Sequence, residues 1–338
     1  MKQKFKMIRK KLVIGLPCGA LFCVAVIMIW RSFTYSYDDM QRCTTIIEFH
    51  SFYSISMDGK PILYFSRLNA DSTLEGITTS ADSARNNIIY SAGFWVNKMP
   101  VIPSCYGHLA TAFPGKNDDV QFNHTDVLHI VTIETDRLKY DKDSLKSEAG
   151  ELKYYLSVHN VKDEGYNMIA KYAAKISSEI KVVDSILSII TRYNDLSKLS
   201  VKHISEYSAI YYDQNNKLKR VRCKQTANDK QCYLLQTVNR QTPDGVCAIF
   251  MKPWTCITPK NIILVSYPGL GNKEFASPSA KAEIIAGKYS LKKGHDITSI
   301  LVTNGSPVFS HRGRLIGITS GKDIINRKYL TNLFDKER

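Results

Sequence analysis

Leu301-Val302-Thr303-Asn304-Gly305-Ser306-Pro307-Val308-Phe309-Ser310-His311-Arg312-Gly313-Arg314-Leu315-Ile316-Gly317-Ile318-Thr319-Ser320-Gly321 decides how this chain is read. An apolar approach enters a tight Asn-Gly-Ser-Pro turn. Two short apolar runs then flank a polar corner, the pattern of a closing hairpin. Outward from this stretch, short strand candidates recur at residues 44–49, 87–97, 126–132, 209–212, 232–238, 261–267, 280–286 and 299–303. Gly, Pro, Asn and Asp punctuate them at all-β spacing.

One region departs from that rhythm. Residues 144–206 hold no proline. Ile169, Tyr172, Ala173, Ile176, Ile180, Val183, Leu187 and Ile190 recur there at three and four residues, one stripe on a helix. Asp163 and Glu164 suit the N-terminal end of that helix. A helical insertion is expected over 144–206. Its stripe packs on the domain or on a second helix, or else docks another membrane protein.

The chain has 338 residues and a formal charge of +15. Residues 1–31 carry seven cations and no anion, which leaves +8 for the rest. No basic helix, zinc-finger spacing or aromatic-basic motif accompanies that excess, so nucleic acid is not an expected partner. Residues 12–30 form an uncharged apolar run of 19 residues, long enough as a helix to span the hydrocarbon core. Six cations precede it and Arg31 follows, which keeps segment 1–11 in the cytoplasm. A cleaved signal peptide is the rival reading. The length of the run and the lack of a small-x-small site favour an uncleaved anchor. Either way the chain after about residue 31 is exported. Residues 31–42 then read as a linker, 43–322 as the folded domain and 323–338 as a polar tail.

Export changes the reading of the cysteines. Cys43, Cys105, Cys223, Cys232, Cys247 and Cys256 lie outside the anchor, an even number in an oxidising compartment. Cys223 and Cys232 flank a polar turn and could staple it. No C-x-x-C pair or histidine cluster at ligand spacing appears, so no metal is expected, and no cofactor.

Several stretches in order resemble the trypsin-like (chymotrypsin-fold) serine proteases, bacterial type. Residues 302–308 resemble Gly-Asp-Ser-Gly-Gly/Ser-Pro-Val, and Gly313, Gly317, Ile318 and Ser320 continue into the last hairpin. Residues 261–271 resemble V-x-V-I-G-Y-P-x-G, and 282–290 the strand leading into G-x-I-S. Upstream, 91–96 resembles G-S-G-F-x-V and 107–113 resembles G-x-I-L-T-x-A-H. The resemblance implies a mainly β fold of two antiparallel six-stranded β-barrels, with the helical insertion set into it.

The chemistry of that family needs a hydroxyl, an imidazole to take its proton and a carboxylate to orient the imidazole. The matched base position holds Phe113, or Pro114 if the gap moves by one. The acid position holds Gln231, and Asp229 serves only after a two-residue slip. The nucleophile position holds Asn304. The backbone donors that stabilise the oxyanion are those of the nucleophile and of the residue two before it. Glycine stands there in the family, and β-branched Val302 stands here, with Thr303 in place of the aspartate. Four requirements are broken while the scaffold glycines and the proline persist, which implies loss of catalysis.

A rearranged site would draw on Ser306, the fallback nucleophile, and on a histidine. His108 and His129 sit in strand candidates, His124 lies near Asp126, and His295-Asp296 reads as loop. Peptide binding survives without a triad where a strand edge is open, and Ile318, Thr319, Ser320 and Gly321 are the expected binding strand. The expected function is therefore an anchored pseudoprotease that binds a peptide or protein. The alternatives are a serine endopeptidase with a rearranged site, and a scaffold that presents 144–206 to a membrane partner.

Overall fold

The computed structural model describes residues 34–85, 88–97, 106–112, 124–192, 198–229, 231–251, 260–272 and 276–336. In chain order it begins with α1 (Tyr37–Cys43), held at its start by a Ser36/Asp39 capping box. Strands β1 (Thr44–Met57), β2 (Lys60–Phe65), β3 (Arg67–Leu68) and β4 (Leu74–Glu75) follow, then α2 (Ala81–Ala84), β5 (Ile88–Asn97) and β6 (His108–Ala112). Two long helices come next, α3 (His124–Val158) and α4 (Tyr166–Arg192). They lead to β7 (Leu199–Tyr212), β8 (Leu218–Asn228), β9 (Cys232–Thr237) and β10 (Ile249–Phe250). The C-terminal part holds β11 (Asn261–Ser266), β12 (Glu283–Ser290), β13 (Gly294–His295), a 3-10 turn (Ser299–Leu301), β14 (Pro307–Ser310), β15 (Leu315–Ser320), β16 (Asp323–Asn326) and α5 (Arg327–Lys336).

The fold is mainly β, with two six-stranded antiparallel barrels and a few helices. The described residues fall into two units, those within 1–49, 89–117 and 206–338 in one, and those within 50–88 and 118–205 in the other. The first unit contains both barrels. In the first barrel β5, β6, β9, β8, β7 and β1 follow one another, and a β5–β1 pairing closes the ring. In the second the order is β13, β12, β11, β14, β15, β16. Its seam is joined where the His295 amide donates to the Lys322 carbonyl at 3.0 Å.

Strand alternation explains how both barrels are filled. Trp95, Leu109, Tyr233 and Leu235 point into the first barrel, together with Ile47 and Ala209. Ile262, Leu264, Val308 and Ile316 fill the second. Their strand neighbours Phe94, Ala110, Leu234, Ile263, Val265 and Phe309 form a third apolar layer that draws on both barrels. These strands therefore bury both faces and read as continuous apolar runs.

Helix α5 corrects one expectation. Within the segment 323–338, read as a polar tail, the described residues 323–336 form β16 and then a helix whose Leu330, Leu333 and Phe334 bury themselves in that shared layer. Spacings of three and four place them on one face.

The second unit is the helical hairpin and the strands under it. Residues 126–132 were expected as a strand and lie in α3. Val127, Ile130, Val131 and Leu138 are its buried apolar positions, a helical spacing that a short window of β-branched residues conceals. The insertion thus has its first helix from His124 rather than from 144, and residues 199–206 belong to β7. Of the stripe expected on α4, Ile176 and Leu187 are buried, with Ile186 beside them, Ile169, Ala173, Ile180, Val183 and Ile190 are partly buried, and Tyr172 is exposed. The two helices pack on each other, and their inner faces meet Ile55, Leu63, Phe65 and Leu74. Among the described residues no helix is long and apolar enough to cross a membrane. The expected anchor, 12–30, lies outside the described residues.

Candidate functional site

The turn at Asn304 is set by side chains that hold its backbone from both sides. The Thr303 amide donates to Ser266 Oγ at 2.8 Å, and its hydroxyl donates to the Tyr267 carbonyl at 2.6 Å. The Thr319 hydroxyl donates to the Thr303 carbonyl at 2.8 Å. The Gly305 amide donates to the Thr319 carbonyl at 2.9 Å. Burial pushes the Tyr267 phenol up, so it stays neutral, and its hydroxyl donates to the Thr44 carbonyl at 3.1 Å. Gly305 adopts φ +82°, a conformation glycine reaches without a Cβ penalty. Only glycine fits for a second reason. A Cβ there would stand 2.0 Å from the Ala92 carbonyl oxygen and 2.8 Å from the Ala112 amide nitrogen.

Asn304 serves this joint at two atoms. Its carbonyl accepts from the Ala92 amide at 2.8 Å, linking the turn to β5. Its side-chain oxygen accepts from the Gly321 amide at 2.8 Å. The residue matched to a nucleophile is thus a structural clasp. Val302 is extended, at φ −106° and ψ 122°, and its amide donates to the Ser299 carbonyl at 3.1 Å within the 3-10 turn. The backbone donor two residues before Asn304 is therefore engaged within its own turn.

Ser306, the fallback nucleophile, is fully buried and donates to Ser266 Oγ at 3.1 Å. Among the described residues, the other predicted ones do not assemble around it. Gln231 is exposed at the bend before β9, and Asp229 accepts from the Tyr329 hydroxyl. Phe113 and Pro114 lie outside the described residues. His108 is buried in β6 beside Gln236, with its ring edge-on to Phe334 at 5.1 Å. His129 is exposed on α3, and His124 begins that helix. His295 Nε2 lies 3.0 Å from the Gly321 carbonyl, while Asp296 Oδ1 accepts from the Lys288 amide at 2.7 Å. That pair of neighbours divides between two tasks.

The expected binding strand is corrected. β15 is paired on both sides, with β14 through Pro307↔Ile318 and with β16 through Ile318↔Ile325, Thr319↔Ile324 and Ser320↔Asp323. Gly321 and Lys322 close this hairpin, and the Gly321 amide is taken by Asn304. Ile318, Thr319, Ser320 and Gly321 thus offer no open edge for a peptide. The Cys223–Cys232 staple is corrected too. Cys223 stands opposite Thr237 and faces the interior of the first barrel, whereas Cys232 stands opposite Ala112 and faces the shared layer. Both are free thiols.

Two features of the second unit were not foreseen. Ser51 Oγ and His203 Nε2 lie 2.8 Å apart, on β1 and β7, with the Tyr53 ring 4.8 Å from the imidazole. Serine and histidine so far apart in sequence give no signal until β1 and β7 are placed. The other is a groove of about 570 Å³ between α3, α4 and the β4 region, with Arg137, Tyr140, Asp141, Glu179 and Val182 among its walls. Among the described residues no group of histidine, cysteine or acidic side chains is arranged to hold a metal.

No family model matches the chain, and no curated protein matches it. Among solved structures, one titled "Crystal structure of Deg5" aligns with it at 9% identity, covering 88% of each chain with a TM-score of 0.36. The two six-stranded barrels fit the trypsin-like fold implied by the sequence motifs.

Proposed function

We propose that this chain is a membrane-anchored, exported, catalytically inert trypsin-like protein that works by binding. Residues 12–30 are the anchor, residues 1–11 stay in the cytoplasm, and the chain after about residue 31 is periplasmic. The observation that carries the inert reading is the clasp at Asn304: its side chain bonds Gly321 while Val302 spends its amide on Ser299. A hydroxyl placed at 304 would meet no base among the described residues, and the Val302 amide would not be free to stabilise an oxyanion. With β15 paired on both edges, the binding role passes to the helical hairpin. Tyr140, Tyr154, Val158, Val161 and Met168 are exposed there, residue types suited to a protein interface. A membrane-protein partner is the proposed ligand.

The Ser51–His203 contact supports a second reading, a serine endopeptidase with a rearranged site. Purified full-length chain and its Asn304→Ser variant should both leave a fluorogenic peptide library intact. Turnover by the Asn304→Ser variant alone would show that the turn still supports catalysis. Turnover by the native chain that disappears in Ser51→Ala would establish the endopeptidase. Recovery of the native chain in the soluble fraction after cell breakage would remove the anchor.

A further inference from the structure

Two cysteines far apart in the sequence of the first unit, Cys43 and Cys247, are brought onto neighbouring backbone. The Cys247 amide donates to the Arg42 carbonyl at 3.2 Å, which sets residue 247 alongside residue 43. A second bond fastens the same junction, from Arg42 Nε to the Gly245 carbonyl at 2.9 Å. Cys43 is fully buried in the layer shared by the barrels, and Cys247 packs against that layer from its half-exposed position. Both are free thiols in this structure, with Cys43 Sγ donating to the Met40 carbonyl at 3.0 Å, and they reach one apolar cluster from neighbouring backbones.

We propose that Cys43 and Cys247 form a disulfide when the chain folds in an oxidising compartment, tying the α1–β1 junction to the segment before β10. The oxidant is a disulfide, such as glutathione disulfide or a thiol–disulfide oxidoreductase. The Cys247 thiolate attacks one sulfur of it and releases the other as a thiol. The Cys43 thiolate then displaces the second thiol. Two cysteine thiols are oxidised, one external disulfide is reduced to two thiols, and the two protons lost by the cysteines end on those thiols. Burial pushes the Cys247 thiol up to about 12 and that of Cys43 well above its usual value. Attack by the native protein is therefore slow, and closure belongs to folding, before the cluster excludes water.

Formation in the cell rests on the exported reading above, whereas the pairing itself does not. Full-length chain is trapped in expressing cells with acid and N-ethylmaleimide, and its peptides are mapped with a cleavage at Phe250 that separates Cys247 from Cys256. In parallel, the same chain is unfolded and refolded in detergent with a glutathione redox buffer. A 43–247 linked peptide is expected in both, with a melting temperature several degrees above that of the Cys247→Ser variant. A link formed on refolding but absent from cells supports the pairing and overturns export. Free thiols in both arms, or Cys247 joined to another cysteine, overturn the pairing.

Discussion

Gly305→Ala should destabilise the first unit by about 4 kcal/mol or more, enough to lower the melting temperature by roughly 10 °C or to prevent folding. Two costs add. Gly305 sits at φ +82°, and its missing Cβ would overlap the Ala92 carbonyl oxygen at 2.0 Å. That oxygen is main chain and accepts from the Thr111 hydroxyl at 2.5 Å, so it cannot swing aside as a side chain would. Gly321→Ala is the control. It has φ +61° with nothing within 4 Å of the added atom, so it carries only the left-handed penalty of about 1–2 kcal/mol. Thermal unfolding of the two variants decides this. Equal losses would show that close approach to β5 contributes nothing.

The second large effect falls in the helical unit. Glu134 is fully buried on α3, and its Oε2 accepts from the Leu74 amide at 3.0 Å. Arg137 Nε donates to the same oxygen at 3.1 Å, and Arg137 also grips the other. Glu134→Ala leaves a buried amide without its acceptor and half-exposed Arg137 with only Asp141, a loss of about 2–4 kcal/mol. Glu134→Gln keeps an acceptor for Leu74 and should lose less than half as much. Amide exchange should report the alanine loss locally, as faster exchange at Leu74. Unchanged protection at Leu74 in the alanine variant would refute this role for Glu134.

Much of the barrel framework was visible in the chain because its strands bury both faces. Runs such as Ile262-Ile263-Leu264-Val265 need no knowledge of their neighbours to be recognised. Helix α3 was hidden for a related reason. Val127 to Val131 looks like a strand in a short window, and only the longer spacing through Leu138 shows its helical period. The 3-10 turn at Ser299–Leu301 replaced an expected strand because the chain must deliver Val302 extended into the Asn304 turn. The position of Asn304 was legible, whereas its use was not. That the amide reaches Gly321 depends on the β15–β16 hairpin being closed by two residues. The paired edges of β15 likewise depend on β16, which resembled a tail in isolation. Ser51 and His203 show the limit most clearly: 152 residues separate them, and only strand pairing joins them.

The inert reading meets its most direct trial in intact-mass analysis of the full-length native chain after exposure to a fluorophosphonate. Such a reagent reports any serine hydroxyl activated by a base, whatever its place in the fold. The expected spectrum shows the unmodified mass alone. An adduct mapped to Ser306 or to Ser51 would contradict it.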